Sequence, residues 1–96
     1  MRVIKMPLEA GLNTFPTTSS QLKLCYINHQ RHQLMGWFRE TQTGTPDSYQ
    51  VYIALTGEVL NPEFNYCTST QLQDSGGFYV VHALALALPP EPRALP

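Results

Sequence analysis

The stretch "TQLQDSGGFYVVHALAL", residues 70–86, decides the fold class of this chain. Its centre, "DSGG" at residues 74–77, supplies an aspartate for the first corner of a turn and two glycines that tolerate positive φ. Beyond the turn, the side chains of residues 78–86 fall alternately on two faces if the segment is extended. Alanine and leucine also favour helices, but no helical stripe precedes them and two prolines follow at once. The stretch therefore predicts a β-hairpin.

Similar β patterns lie upstream of this hairpin. Alternation in "QLKLCYINH" places Leu22, Leu24 and Tyr26 on one face, and apolar groups on both faces indicate a central strand. Gly36 is expected to mark a β-bulge in the strand that follows. Strands are predicted at residues 1–8, 21–29, 34–41, 49–56 and 66–73, with a brief additional strand around Asn13 to Phe15.

These segments predict one small all-β domain. We expect about six strands in an antiparallel sheet, rolled or folded into a compact barrel or sandwich. The domain should span residues 1–88, because 96 residues leave room for a single core. The proline-rich end "PPEPRALP", residues 89–96, is expected to be an extended, mobile tail.

Charge and composition exclude several functional classes. A net charge of -1 and only six lysines and arginines provide no basic field, so general nucleic-acid binding is disfavoured. No apolar run approaches the roughly 18 residues that span a bilayer, and the N-terminus lacks a secretory signal. We therefore expect no membrane association and a cytoplasmic location. In that reducing compartment Cys25 and Cys67 should be unbridged thiols and small buried hydrophobes.

The residues that carry chemistry form no catalytic or metal motif. His29 and His32 are three positions apart in a polar break, and no third ligand is identifiable beside them. His82 lies in an apolar strand, where a half-buried, satisfied side chain is the favoured interpretation, and no nucleophile elbow accompanies it. We expect no enzyme activity, no cofactor and no metal.

Two surfaces are predicted to contact a partner. The polar break "NHQRHQ", residues 28–33, presents Arg31 flanked by two histidines, and a guanidinium can engage a carboxylate or phosphate through two hydrogen bonds. The second surface groups two aromatic residues with a cation as a stacking face, although a half-buried role for the aromatic residues is favoured over a nucleic-acid platform. The predicted partner-binding residues are His29, Arg31, His32, Trp37, Arg39 and Tyr52.

Three segments carry a family resemblance: "QLKLCYINHQRHQLMGWF", "IALTGEVLN" and "NYCTSTQLQDSGGFYVVHAL". Over residues 1–84 the chain resembles a family of short, uncharacterised phage and prophage proteins. The matching features are the Thr56–Gly57 step, the closing hairpin with Tyr66 to Thr70 and the two glycines Gly76 and Gly77, and the apolar-His-apolar step around His82. The polar break departs from the shorter Asn-Gly-type turn of that family, and the proline-rich tail has no counterpart in it. The resemblance implies a phage origin and no established activity.

Taken together, these features predict a phage-encoded binding protein in the cytoplasm of an infected bacterial host. We expect it to inhibit or divert a host bacterial enzyme or defence complex by protein–protein contact. The alternatives are a small-ligand or nucleotide-sequestering protein and a minor virion component. Exposed strand edges in so small a β domain also predict a homodimer.

Overall fold

A computed structural model describes residues 1–16, 20–43 and 48–88 of the chain. These residues form β-strands and turns without any helix, so the predicted all-β class is correct. No helix capable of crossing a membrane is found in these ranges. The predicted tail at residues 89–96 lies outside the described residues.

The described residues form seven strands, one more than the predicted number of about six. The additional strand is the brief segment expected around residues 13–15, which is a six-residue strand with a full set of partners. The "ALALAL" segment is a strand, as predicted. The strands are β1 (Arg2–Leu8), β2 (Gly11–Pro16), β3 (Ser20–Gln30), β4 (Gln33–Gln42), β5 (Ser48–Leu55), β6 (Asn65–Asp74) and β7 (Gly77–Leu88).

The strands form two antiparallel sheets instead of one. Sheet A has the order β1-β4-β3, and sheet B has the order β2-β5-β7-β6. Each sheet ends in two edge strands in the described structure, so of the two predicted forms, a barrel or a sandwich, a closed barrel is not formed. The two-layer arrangement buries the apolar face of each sheet against the other, which is how antiparallel sheets remove one face from water.

The core lies between the sheets and draws on both. Phe38 of sheet A is fully buried and meets two rings of sheet B edge-on, Phe15 at 5.3 Å and Tyr49 at 6.2 Å between ring centroids. The Leu24 backbone N–H donates a 3.0 Å hydrogen bond to the Tyr49 hydroxyl, which links the sheets through a buried polar contact. Burial raises the pKa of Tyr49 to about 12, because the phenolate would lose its hydration.

A β-bulge at Cys25 overturns the predicted faces of β3. The register between β3 and β4 shifts between Leu24 and Tyr26, so Cys25 is the extra residue. Because side chains alternate with period two, one extra residue reverses the facing of everything after it. Ile27 is therefore fully buried and Tyr26 is 50% exposed, the opposite of the predicted arrangement.

Gly36 is not at a bulge, contrary to the prediction, and pairs regularly with Met6 and Ile27. Its role is to leave space in the core. A Cβ atom at this position would lie 2.8 Å from the Leu8 Cδ1 atom and 2.9 Å from the Phe38 Cε1 atom, closer than side-chain carbons approach each other. The strand thus needs a residue without a side chain where Leu8, Leu24 and Phe38, all from sheet A, converge in the core.

Both cysteines are free thiols, in agreement with the prediction, but they are exposed and not buried. Cys67 lies at a second bulge, between Tyr66 and Thr68 of β6. Each thiol donates to the carbonyl oxygen two residues before it, Lys23 for Cys25 and Asn65 for Cys67. The Cys67 thiol nevertheless contacts the hydroxyl of the core residue Tyr49, and partial burial raises the pKa of Cys67.

The polar break between β3 and β4 is a two-residue turn, and the six-residue loop predicted there is wrong. Gln30 pairs with Gln33, which leaves only Arg31 and His32 in the turn, with φ of 49° and 67°. Positive φ at both central positions is the geometry of a type I′ hairpin, which Asn-Gly usually supplies.

Candidate binding face of the three-stranded sheet

The outer side of sheet A, away from the core, carries a row of three large side chains. Lys5, Trp37 and Tyr26 face one another across β1, β4 and β3 in the hydrogen-bonded register. The bulge at Cys25 brings Tyr26 to this side, because without it Tyr26 would face the core. A cation, an indole and a phenol thus stand side by side on a surface open to solvent.

Contacts within the row hold the indole in place. The Lys5 Nζ atom lies 5.9 Å from the centroid of the Trp37 ring, within the range of a cation–π interaction. The ring centroids of Tyr26 and Trp37 are 5.4 Å apart. Lys5 also donates to the Gln30 side-chain oxygen at 3.2 Å, and Asn28 donates to the Tyr26 hydroxyl at 3.1 Å. The row is therefore a supported platform and not a set of independent side chains.

A second row, one step along the strands, adds two positive charges. Lys23 pairs directly with Arg39 across β3 and β4, and both side chains are exposed. Like charges directly opposite each other destabilise an antiparallel pair, by about 0.2 to 1 kcal/mol. The sheet tolerates this repulsion without a neutralising carboxylate beside it.

The three strands of sheet A contain one acidic residue, Glu40, and it lies on the inner side. Its carboxylate accepts a hydrogen bond from Arg2 and forms an ion pair with it at 2.8 Å. The Ser20 hydroxyl donates to the same carboxylate. Within the residues that the structure describes, this is the one ion pair, so the cations of the outer side have no carboxylate partner.

Arg31 adjoins this surface at the tip of the β3–β4 hairpin. It lines a depression of about 750 Å³ together with Lys5, Gln30, Gln33 and Met35. We call the outer side of sheet A with this tip the basic aromatic face, and its defining residues are Lys5, Lys23, Tyr26, Arg31, Trp37 and Arg39. Three of the predicted partner-binding residues, Arg31, Trp37 and Arg39, belong to it.

The two predicted histidines lie on the other side of the same hairpin. His29 and His32 have ring centroids 6.4 Å apart and line a groove of about 1010 Å³ between the open ends of the two sheets. The groove has an apolar floor that includes Leu8 and Ile53, and Glu9 and Glu58 lie at its rim. The described residues contain no group of three or more side chains that could hold a metal.

Tyr52 does not join the basic aromatic face, and the predicted grouping of Trp37, Arg39 and Tyr52 is wrong. Tyr52 lies on the outer side of sheet B, opposite Leu12 of β2. Its hydroxyl donates to the Glu58 carboxylate at 3.1 Å, and this bond raises the pKa of Tyr52. Its ring packs 6.2 Å from that of Phe64. The two aromatic residues belong to different sheets, which strand spacing alone does not indicate.

His82 also lies on the outer side of sheet B, half-buried and with both ring nitrogens in hydrogen bonds. The Thr56 hydroxyl is 2.8 Å from Nε2, and the Tyr66 hydroxyl is 2.9 Å from Nδ1. This agrees with the predicted role of a satisfied side chain. The two hydroxyl partners come from the loop after β5 and from the edge strand β6.

Three members of the basic aromatic face were not predicted: Lys5, Lys23 and Tyr26. The alternation pattern places Lys23 on an outer face, but the pairing of β1 with β4 that brings Lys5 beside Trp37 is a long-range contact. Comparison of the chain with protein-family models, with curated proteins and with solved structures finds no match.

Proposed function

We propose that the protein is a small binding protein that acts without catalysis, through the basic aromatic face, on a partner macromolecule with anionic groups. The observation that carries this proposal is the Lys5–Trp37–Tyr26 row with Lys23 and Arg39 beside it and no carboxylate on the same side of the sheet. Aromatic and arginine side chains dominate the energetics of most binding surfaces.

The uncompensated charge of the face supports the same proposal. Lys23 and Arg39 repel each other across two strands, which is a cost to the free energy of folding in the isolated protein. An anionic partner would remove that cost on binding. Glu40, the acid that could have neutralised the pair, is directed inward and bound to Arg2.

The biological setting follows from the resemblance to phage and prophage proteins. We propose a phage-encoded protein that inhibits or diverts a bacterial enzyme or defence complex in the cytoplasm of the infected host. A pull-down from a nuclease-treated host lysate tests this setting, with the parent protein and a charge-neutralised variant as parallel baits. A host protein retained by the parent and lost with the variant supports a protein target, and equal retention would contradict it.

The groove between the sheets favours a second candidate function, the sequestration of a small ligand. Its volume of about 1010 Å³ suits a compact ligand, and its apolar floor with polar side chains at the rim is typical of ligand sites. A ligand of this kind would contact His29 and His32 and leave the basic aromatic face exposed. Isothermal titration calorimetry with nucleotides, on the parent protein and on the His29→Ala variant, tests this second candidate function.

Two anionic polymers, heparin and poly-L-glutamate, test the primary proposal. The variant carries Lys5→Gln, Lys23→Gln and Arg39→Gln, and the control variant carries Arg2→Gln, which removes one exposed cation from outside the face. We expect the triple variant to elute from immobilised heparin at clearly lower salt. With three cations fewer, the protein releases fewer counterions from the sulfate groups of heparin when it binds, so the binding is weaker. The control should elute close to the parent. Equal elution of all three proteins would overturn the proposal.

Arg31 is tested separately because it lies at the tip of the face. If Arg31 anchors the partner, Arg31→Ala should weaken binding by about 2 kcal/mol or more, while thermal stability stays unchanged. The matched variant His29→Ala changes the groove side of the same hairpin. Unchanged affinity of Arg31→Ala for both polymers would remove the tip from the binding surface.

A further inference from the structure

We infer that the partner of the basic aromatic face is single-stranded nucleic acid. This inference rests on the proposed binding of an anionic macromolecule by this face, and it puts nucleic acid in place of a host protein as the molecule bound there. It departs from the expectation drawn from the net charge of the chain. That expectation averages the charges over the whole molecule, whereas folding separates them in space.

The first argument is the exposure of planar rings in the middle of the face. Tyr26 is 50% exposed, and Trp37 is partly exposed beside it with a centroid distance of 5.4 Å. Bases that are not paired in a duplex stack on such rings, and stacking tolerates any sequence because every base has a π-face. The Lys5 ammonium and the Tyr26 ring both contact the indole, which restricts its motion, so little side-chain freedom is lost on stacking.

The second argument is the placement of the cations. Lys23 and Arg39 stand one step along the strands from the rings, about 7 Å away for two extended residues. Arg31 lies on the other side of the rings, at the hairpin tip, and lines one depression with Lys5 of the central row. A strand of nucleic acid with its bases on Trp37 would therefore pass cations at both ends of the platform.

The third argument separates nucleic acid from an acidic protein as the partner. The centres of protein–protein interfaces are depleted in charged residues, and lysine is under-represented there. Interfaces with nucleic acid are more polar and much more positively charged. Here two lysines stand in or beside the central row, Lys5 on Trp37 and Lys23 opposite Arg39. This composition favours a phosphate backbone.

Single strands are favoured over duplexes for a geometric reason. In a duplex the faces of the bases are covered by their neighbours, so Trp37 and Tyr26 would reach no base face. The platform also lies on the outer side of a three-stranded sheet and not on a projecting helix or ribbon that enters a groove. The exposed rings would then contribute nothing to duplex binding.

The test uses Trp37, the one tryptophan of the chain, as an intrinsic fluorophore. The full-length protein is titrated with oligothymidylate of about 16 nucleotides, within the range of single-domain site sizes. We expect quenching of the Trp37 emission, because a stacked base contacts the indole directly. Affinity should fall with salt, and Lys23→Gln should lower the slope of log K against log salt by about one. Duplex DNA of the same length and poly-L-glutamate are titrated in parallel.

Variants then separate stacking from charge. Tyr26→Leu and Trp37→Leu, the latter followed by anisotropy of a fluorescein-labelled oligonucleotide, should each weaken binding about tenfold. The control is Tyr52→Leu, an aromatic replacement on the outer side of the other sheet, which should leave affinity unchanged. Circular dichroism confirms folding. If Trp37→Leu does not fold, Tyr26→Leu decides alone, because Tyr26 is a half-exposed residue of an edge strand.

Each outcome has a defined consequence. Binding of oligothymidylate with Trp37 quenching, weaker duplex binding and sensitivity to Tyr26→Leu supports the inference. Absence of oligothymidylate binding, while poly-L-glutamate binds and the Lys5, Lys23 and Arg39 variant loses it, overturns the inference and leaves the proposed function standing. Oligothymidylate binding with unchanged Trp37 emission, or duplex binding of equal strength, overturns stacking. If no anionic polymer binds, both proposals are wrong.

Discussion

On both sheets, alternation of inward and outward side chains produces an outer side, but the polar groups of the two outer sides have different partners. On sheet B the loop after β5 is tied back to the sheet, and Glu58 accepts hydrogen bonds from the Tyr52 hydroxyl and from the Leu55 backbone N–H. On the outer side of sheet A, Lys5 contacts the Trp37 ring and donates a hydrogen bond to the Gln30 side chain. Polar groups that already hydrogen-bond one another, as on sheet B, are not available to a partner. Cations without a carboxylate partner, as on sheet A, are available to bind an anionic partner.

The histidine of sheet B shows this saturation most clearly. Both nitrogens of His82 are within 2.9 Å of a hydroxyl, one from Thr56 and one from Tyr66. On sheet A the corresponding cross-strand neighbours, Lys23 and Arg39, have the same charge. We therefore expect substitutions on sheet B to lower stability and substitutions on the outer side of sheet A to affect binding.

The largest effect on stability should come from the inner side of sheet A. Gly36→Ala places a Cβ atom within 3 Å of Leu8 and Phe38, and overpacking of this kind costs about 1 to 3 kcal/mol. Thr41→Ala, on the outer side of the same strand, should stay within about 0.5 kcal/mol of the parent. Urea unfolding followed by circular dichroism measures both. Equal loss in the two variants would show that the contrast between inner and outer sides is wrong.

Tyr49 gives the next largest effect, as a pH dependence. Its folded pKa is about 12 and the ordinary value is 10.0, so the unfolded chain releases this proton first as the pH rises. The stabilisation is fully present below pH 10 and is lost as the pH rises through 12, and we expect a loss of about 2 kcal/mol. Tyr49→Phe should remove this component of the alkaline loss.

The control for the alkaline experiment is Tyr79→Phe, which changes an exposed tyrosine. Unfolding by urea is measured at several values between pH 9 and pH 12, and the difference between each variant and the parent is compared. If Tyr49→Phe follows the parent at every pH, the buried hydroxyl does not contribute in this way. Tyr49→Phe should also be less stable at neutral pH, because the Leu24 N–H loses its acceptor.

The two outer sides are compared directly by His82→Ala and Lys23→Gln. Removing His82 breaks two hydrogen bonds whose partners can turn to water, so we expect a loss of about 1 kcal/mol in the free energy of unfolding. Lys23→Gln relieves the repulsion with Arg39 and should raise stability by up to about 0.5 kcal/mol. Losses of similar size in both variants would contradict the contrast between the sheets.

The smallest effect should come from the hairpin turn. Arg31 and His32 both adopt positive φ, which residues with a Cβ atom disfavour. The double variant Arg31→Asn, His32→Gly carries the residues preferred in a type I′ turn, and it should raise the free energy of unfolding by a few tenths of a kcal/mol and the melting temperature with it. Thermal unfolding measures this gain. A gain in stability with a loss of binding would show that Arg31 is kept for contact with the partner.

The sequence predicts most of the fold and about half of the candidate face. Alternation and turn residues located the strands, because strand period and turn chemistry are local. The bulge at Cys25 could not be predicted, since nothing in "LCYI" marks an extra residue, and alternation therefore placed Tyr26 on the same face as Leu22 and Leu24. Trp37 and Arg39 are two residues apart, so alternation places them on the same face of one strand, as the structure does. Tyr52 was assigned to that face because it lies in a predicted strand, but its strand belongs to sheet B.

The sequence by itself determined that this chain is an antiparallel β protein with tight hairpins, because each residue's alternation and turn preference acts over a few neighbours. Only the tertiary structure decided that the strands divide into two sheets and that Lys5 meets Trp37. Those pairings join β1 to β4 and β2 to β5 across long stretches of chain, and their energy comes from burying Phe38 and its neighbours. The local sequence of a strand does not specify which other strand will pair with it or which sheet will cover its apolar face.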